Sequence, residues 1–150
     1  MNSSSTIPIF GDKLAGQTYL ERPGAYAVIR DANLRIATLR VGTAFFLPGG
    51  GSEADETPQA TLRREIMEEC GRAIQIGLEL GKAIEYIYAK NERVYYQIRS
   101  TFFEAIFMDG QPIDDNPILL WLSVSEAIQH LQRQSQAWAV QQLISSPADG

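Results

Sequence analysis

The chain has 150 residues, a formal net charge of −5 and 45% hydrophobic residues, which is enough apolar material for one domain with a real core. The negative charge argues against extended nucleic acid as a partner, since such partners require basic stripes, and no apolar run is long enough to span a membrane. We expect one domain over residues 1–150, with loose ends at 1–6 and 145–150. The polar start of the chain and a single cysteine, Cys70, favour a cytoplasmic location.

The first third of the chain predicts strands joined by turns. Residues 25–30 predict a strand, 31–33 a turn, and 34–41 the strand that pairs with it in a hairpin. Residues 43–47 predict a short strand. The glycines at 49–51 follow it, and glycine lets the backbone approach a ligand closely. A glycine triplet by itself is more often a flexible turn, so a turn and a ligand-binding loop are both open at this point.

A helix is predicted from Pro58 to Cys70. Thr57 is a suitable N-cap, and Pro58 suits the first helical position because the missing N–H has no partner there anyway. Gly71 suits the left-handed position just after a helix end. Both ends of this helix are therefore specified locally.

The predicted helix has two chemically different faces. Helical spacing places three apolar residues on one arc: Leu62, Ile66 and Cys70. It places three carboxylates on another: Glu65, Glu68 and Glu69. Like charges at this spacing destabilise a helix, and a divalent cation would compensate for them. Mg²⁺ prefers oxygen ligands such as these carboxylates and the nearby backbone carbonyls of Gly49 and Gly50. The alternative is a solvated acidic face.

The remainder of the chain predicts more strands and a helical end. Extended segments are predicted at 74–80, 83–89, 93–107 and 119–122, with a turn at 90–92 that makes the middle pair a hairpin. Ser123 and Glu126 form a capping-box pattern for a helix at 124–132. A further helical segment is predicted at 136–144.

The helix and its flanks also form a recognisable motif. Its spacing is Gly50, five residues, Glu56, seven residues, Arg64-Glu65-Ile66, one residue, Glu68-Glu69, one residue, Gly71. This run resembles the Nudix box, the signature of hydrolases that cut nucleoside diphosphates linked to another group. One position departs from the family pattern, because Arg72 stands where an apolar residue is usual. We expect Ala73 and Ile74 to take over that packing role.

The resemblance implies an α+β Nudix fold, a mixed β-sheet sandwiched between α-helices (α/β/α). It implies hydrolysis of a diphosphate bridge with Mg²⁺, or alternatively Mn²⁺, as cofactor. Glu68 and Glu69 are the expected main ligands, and Glu65 is a further ligand or the group that takes the proton from water. Glu56 and Arg64 are expected to form a structural ion pair. The site is completed by the glycines already named.

The expected partner is a small-molecule nucleotide, and a nucleoside triphosphate or an oxidised one is the favoured substrate. Dinucleoside polyphosphates, ADP-ribose and nucleotide sugars are alternatives. Family members often dimerise, so a homodimer is also an expectation. A non-catalytic nucleotide-sensing domain is the alternative of another class, but such domains commonly lose box carboxylates, and none is lost here. An isopentenyl diphosphate isomerase needs a cysteine outside the box, whereas Cys70 lies inside it.

Several residues outside the box are further candidates. Strand alternation places Glu104 on one face with Phe102 and Ile106, so its carboxylate must be paired, bound to metal or protonated. It is a candidate extra ligand or base, and the alternative is an ion pair with Arg99 or Arg22. Arginine pairs with phosphate and aromatic rings stack on bases, which suggests a set of substrate contacts: Arg22, Phe45, Tyr86, Tyr88 and Tyr96. His130, the only histidine, is expected at the surface.

Overall fold

The structure, a computed structural model, describes residues 6–108 and 118–145. In these ranges the strands are β1 (Ile9–Phe10), β2 (Leu20–Ile29), β3 (Ile36–Val41), β4 (Ala44–Phe46), β5 (Gly49–Gly51), β6 (Ile74–Ala89), β7 (Val94–Phe107) and β8 (Leu119–Leu122). The helices are α1 (Pro58–Cys70), α2 (Val124–His130) and α3 (Gln134–Ser145). Of the expected loose ends at 1–6 and 145–150, residues 1–5 and 146–150 lie outside the described residues, and Ser145 is instead the last residue of α3.

The strands form a five-stranded sheet in the order β1-β6-β7-β2-β5 and a three-stranded sheet in the order β4-β3-β8. The larger sheet is mixed, because β1 runs parallel to β6 and β2 parallel to β7, whereas its other pairs are antiparallel. This confirms the predicted mixed sheet.

Alternation along β2 divides the core into two layers. Ala25, Ala27 and Ile29 pack with the apolar arc of α1 in one cluster. Val28 belongs to a second cluster that includes Phe102 and side chains of α2 and α3. Helices therefore cover both faces of the sheet, which confirms the predicted sandwich.

The box helix begins and ends at the predicted residues. The Thr57 hydroxyl accepts a hydrogen bond from the Ala60 N–H at 3.1 Å. Gly71 adopts φ 65° and its N–H donates to the Met67 carbonyl at 2.9 Å. Leu62 and Ile66 are fully buried, so the predicted apolar face is the face that packs.

The predicted hairpin of residues 25–30 with 34–41 is wrong. A single bridge joins Arg30 to Ile36, and β3 then pairs with β4 and β8 in the smaller sheet. Residues 36–39 are all buried, which suits the central strand of a sheet better than an alternating hairpin arm. The second predicted hairpin, β6 with β7, is confirmed.

Smaller differences concern element boundaries. The glycines at 49–51 are not a loop but the edge strand β5, which pairs with β2. The sequence also missed β1, a strand of only two residues. The capping box of Ser123 and Glu126 is present, but α2 ends at His130 and α3 starts at Gln134. His130 is exposed, as predicted.

The packing role expected of the two residues after Arg72 is taken by one of them. Ile74 is 4% exposed, whereas Ala73 is exposed. Arg72 is itself buried, and its guanidinium lies 3.9 Å from the centroid of the Phe107 ring.

Candidate active site

Arg64 ties the loop before α1 to the helix itself. Its Nε donates to Glu56 Oε2 at 2.7 Å, and its Nη2 donates to Glu56 Oε1 at 2.9 Å and to the Gly51 carbonyl at 3.0 Å. The expected ion pair is thus present, in the two-pronged geometry that suits guanidinium and carboxylate. The Arg64 guanidinium lowers the pKa of Glu56 to about 2, and Glu56 in turn raises the pKa of Arg64.

The same arginine reaches two of the three box carboxylates. Arg64 Nη1 lies 3.1 Å from Glu65 Oε2 and 3.4 Å from Glu68 Oε1. The Glu65 carboxylate also packs over Gly50, where a methyl group would lie 2.6 and 2.7 Å from the two carboxylate oxygens. Only glycine leaves room for this approach. The acidic face therefore depends on the positive charge of Arg64 and on the missing side chain at Gly50.

Glu69 is a partly buried carboxylate with a perturbed pKa. Burial raises the pKa of Glu69 to about 7, and the charges of Glu65 and Glu68 act in the same direction. A hydrogen bond from the Gly49 N–H, 3.1 Å from Oε1, opposes the rise. The protein by itself therefore stabilises this carboxylate poorly as an anion, and a bound cation would supply the missing stabilisation.

The donor set suits a hard divalent cation, but the side chains do not converge as they stand. Within residues 6–108 and 118–145, no three Asp, Glu, His or Cys side chains are grouped closely enough to hold a metal ion. The carboxylates instead face Arg64 and the Gly49 N–H. The Glu68 side chain is 59% exposed, so turning it toward an ion would break its contact with Arg64 without disturbing the core.

Tyr26 lies within electrostatic range of two box carboxylates and of two arginines. Tyr26 on β2 stands opposite Gly49 on β5. Burial raises the pKa of its hydroxyl, which lies within electrostatic range of Arg22, Arg133 and two box carboxylates. The Arg133 guanidinium lies over the Phe46 ring, 5.4 Å from its centroid. The site thus combines an acidic edge with nearby cationic groups.

A buried carboxylate fixes the backbone next to Arg133. Glu85 on β6 is 6% exposed and accepts hydrogen bonds from the Gln134 N–H at 3.2 Å, the Ser135 N–H at 2.9 Å and the Ser135 hydroxyl at 2.6 Å. These are the first amides of α3, which otherwise lack acceptors. Glu85 therefore holds the start of α3 against the sheet. Arg133 is the residue just before this helix.

Sequence reasoning missed Tyr26, Arg133 and Glu85. Tyr26 alternates with the buried Ala25 and Ala27, which was a usable signal that it faces the other side of β2. Arg133 and Glu85 carry no such signal, because strand pairing and helix docking bring them to the site.

The predicted substrate contacts lie in different places. The Arg22 guanidinium lies 5.1 Å from the centroid of the Tyr96 ring, so these two are neighbours. Phe45 contacts the His130 ring on α2, with centroids 6.3 Å apart. Tyr86 and Tyr88 lie on β6, which β7 and β2 separate from β5. They belong to an aromatic cluster that also contains Tyr19 and Tyr95.

Glu104 lies on the same sheet face as Tyr26. In the register of β2 with β7, Tyr26 is opposite Phe102 and Val28 is opposite Glu104. Glu104 therefore follows Phe102 by two residues and points to the same face. Its Oε2 accepts a hydrogen bond from the Leu78 N–H at 3.3 Å. Arg99 pairs with Glu21 instead, and Arg22 stacks on a tyrosine, so neither forms the ion pair considered for Glu104.

Cavity volume alone does not locate this site. A cavity of about 460 Å³ lies beside the loop before α1 and is lined by Glu56, Lys82 and Arg99. None of the three box carboxylates lines it. The candidate site lies at the box carboxylates, because these are the groups that can bind a divalent cation.

The fold is shared with solved Nudix structures. The MutT protein from Methanosarcina mazei Go1 matches with a TM-score of 0.66 at 16% identity, over 86% of this chain and 96% of that one. The E. coli dihydroneopterin triphosphate pyrophosphohydrolase matches with a TM-score of 0.65 at 16% identity, over 81% and 94% of the two chains. At this identity the likeness establishes the Nudix fold.

The family follows from the sequence match. A family model described as NUDIX domain matches residues 20–142, so the chain belongs to the NUDIX family. Nudix hydrolases generally use divalent metal ions. A curated relative, the 8-oxo-(d)GTP phosphatase of Mycolicibacterium smegmatis, is 29% identical over 103 residues, which is 69% of this chain and 31% of the relative. The chain thus spans about a third of the relative's length. Among the helices in the described ranges, none is long and apolar enough to cross a membrane.

Proposed function

We propose that this chain is a Mg²⁺-dependent pyrophosphohydrolase that cleaves the diphosphate bond of a small nucleoside diphosphate-linked substrate. The favoured substrate is a nucleoside triphosphate, including an oxidised one, cut to the monophosphate and pyrophosphate. The observation that carries the proposal is the row of Glu65, Glu68 and Glu69 on one helix face, of which Glu65 and Glu69 contact the glycine strand β5. The relative named as an 8-oxo-(d)GTP phosphatase supports a nucleotide substrate.

The three box carboxylates have different proposed roles. Glu68 and Glu69 would hold the ion with the carbonyls of Gly49 and Gly50, and Glu65 is a further ligand or takes the proton from the attacking water. When bound, the divalent cation neutralises charge on the phosphoryl oxygens and makes water a better nucleophile. Mn²⁺ has the same preference for carboxylate oxygens and is the alternative ion.

The groups around Tyr26 would bind the substrate. Arg22 and Arg133 lie within electrostatic range of Tyr26, and guanidinium matches phosphate geometry well. Phe45 and Tyr96 neighbour this region and are proposed to contact the base, whereas Tyr86 and Tyr88 are left out because they lie in a separate cluster. Glu104 is proposed as an additional carboxylate on the same sheet face. The homodimer and the cytoplasmic location stay predictions.

The test is a product screen with Mg²⁺ or Mn²⁺ over nucleoside triphosphates, oxidised nucleotides, ADP-ribose, nucleotide sugars and dinucleoside polyphosphates. Glu69→Gln should lower kcat about 10²-fold or more, because it removes a charged ligand at a site where charge neutralisation dominates catalysis. Arg133→Gln should mainly raise KM, because it removes a substrate contact.

The matched control is Glu79→Gln, which removes one charge from a side chain that is 45% exposed and ion-paired at the surface. Its turnover should equal that of the unmodified chain. Undiminished metal-dependent turnover in Glu69→Gln would overturn the site. Release of a nucleoside diphosphate and phosphate from a triphosphate would overturn the proposed bond, and saturable nucleotide binding without any product would favour a sensing domain.

A further inference from the structure

Tyr26 has a hydroxyl group that the fold does not use. The residue lies on β2 and is half-buried, and its ring packs beside Phe102 with the ring centroids 6.0 Å apart. Its hydroxyl forms no hydrogen bond with any residue of the described ranges 6–108 and 118–145. Polar groups that are withdrawn from solvent normally have a partner, so this one requires an explanation. Its neighbours point to a ligand.

Two paired glycines lie beside the outer end of the Tyr26 ring. Gly24 on β2 is opposite Gly51 on β5. A methyl group on Gly24 would lie 3.4 Å from Tyr26 Cε2, which is the ring carbon next to the one that bears the hydroxyl. The hydroxyl end of the ring therefore reaches the space above Gly24. Because neither glycine has a side chain, the floor of this space is formed by backbone alone.

Arg22 reaches the same space from the other side. It precedes Gly24 by two residues on β2, so strand alternation puts its side chain on the same face as Tyr26. A methyl group on Gly51 would lie 3.1 Å from Arg22 Nε. Side chains at directly paired positions of antiparallel strands start about 5 Å apart. The Arg22 guanidinium and the Tyr26 hydroxyl therefore converge on one paired position of the sheet.

The cations near this position favour a negatively charged ligand. The Arg22 guanidinium lies over the Tyr96 ring, and the Arg133 guanidinium lies over the Phe46 ring. Neither arginine forms an ion pair with a carboxylate of the residues that the structure describes. Both act on the Tyr26 hydroxyl more strongly than either nearby box carboxylate does. Guanidinium groups and a tyrosine hydroxyl can all donate hydrogen bonds to phosphate oxygens.

We propose that Tyr26 is a further substrate-binding residue, whose hydroxyl donates a hydrogen bond to the phosphate group that Arg22 also binds. The inference rests on the proposed function, because its ligand is the nucleoside triphosphate proposed as substrate. A tyrosine keeps its proton at neutral pH, so the hydroxyl is available as a donor. Alternation along β5 puts this contact on the face opposite Glu65, whose carboxylate packs over Gly50. Tyr26 is therefore assigned to the substrate and not to the metal ion.

The test is Tyr26→Phe, which removes the hydroxyl and leaves the ring. The probes are the α,β-methylene analogues of ATP and GTP, which cannot be cut at that bridge, and binding is measured by calorimetry with Mg²⁺. Tyr26→Phe should weaken the binding of both analogues about tenfold or more, because a charge-assisted hydrogen bond is lost. The loss should be equal for the two, because phosphate is what they share. The free energy of unfolding in urea should be unchanged, because the hydroxyl has no partner in the fold.

The matched control is Tyr95→Phe. Tyr95 is also half-buried, its hydroxyl also lacks a hydrogen bond within the described part of the chain, and it lies in the separate cluster with Tyr19 and Tyr88. This variant should bind both analogues as the unmodified chain does. Arg22→Gln, with and without Tyr26→Phe, tests whether the two residues share a phosphate. Their losses should be non-additive, because groups that bind one phosphate depend on each other.

The proposal is overturned if Tyr26→Phe binds the analogues as tightly as the unmodified chain or Tyr95→Phe does. It is also overturned if the loss is confined to one base, or if the losses with Arg22→Gln are additive. Lower stability of Tyr26→Phe in urea would assign the hydroxyl to the fold and overturn it as well, as would an unmodified chain that binds neither analogue. Because binding is measured without turnover, a chain that binds as expected but hydrolyses nothing would overturn only the proposed function.

Discussion

Glu69→Gln should stabilise the protein in the absence of metal, although the same change should lower kcat about 10²-fold or more. The reason is that burial raises the pKa of Glu69 to about 7 from an ordinary value of 4.5. Between pH 4.5 and 7 the folded state holds a proton that the unfolded state has released, so the free energy of unfolding falls as pH rises through this window. Glutamine is neutral throughout and escapes this loss.

The pKa difference sets an upper limit to the effect. A rise from 4.5 to about 7 corresponds to at most about 3.5 kcal/mol, since each tenfold change in proton affinity is worth about 1.4 kcal/mol. Because Glu69 is only partly buried, solvent screening reduces the expected gain to about 1–3 kcal/mol. Glutamine also keeps an acceptor for the Gly49 N–H, so the hydrogen bond at 3.1 Å need not be lost.

The assay is urea unfolding with a chelator at pH 8 and at pH 4.5, the two ends of the window. Glu69→Gln should be more stable than the unmodified chain at pH 8, and the two should converge at pH 4.5. Added Mg²⁺ should narrow the gap at pH 8, because it binds and stabilises the unmodified chain. The control is Glu21→Gln, whose side chain is 65% exposed and should show neither effect. Equal stability of Glu69→Gln and the unmodified chain at pH 8 would refute the reasoning.

Two further substitutions test how the site is supported. Ile66→Ala should lower the free energy of unfolding by about 2–5 kcal/mol, because it opens a cavity under the box helix. Met67→Ala, one residue along and 50% exposed, should cost less than about 1 kcal/mol by urea unfolding, and equal costs would contradict the assigned faces. Glu85→Ala should cost about 2–4 kcal/mol, because it leaves the first amides of α3 without acceptors, and it should raise KM by releasing Arg133. Glu79→Ala on the same strand is the control. Unchanged stability and KM in Glu85→Ala would contradict the role of Glu85 in holding the start of α3.

Local interactions explain why the box helix was predictable from the sequence. Thr57, Pro58 and Gly71 act within one turn of the helix ends, and the positions of its apolar and acidic faces follow from helical spacing alone. The hairpin of β6 and β7 was predictable for the same reason, since a short turn joins its strands. The motif also sufficed to name the Nudix fold.

Pairing between distant segments was decided only by the tertiary structure. The hairpin predicted for residues 34–41 and the loop predicted for the glycines at 49–51 were both wrong. Which strands pair depends on how the whole chain assembles into sheets. Arg133 and Glu85 are also brought together by tertiary packing. Glu85 on β6 bonds the start of α3, which lies 49 and 50 residues further along the chain. The sequence by itself determined the capped helix and its three carboxylates. The tertiary structure decided that Arg22 and Arg133 come near Tyr26, because that depends on how strands and helices pack rather than on spacing along the chain.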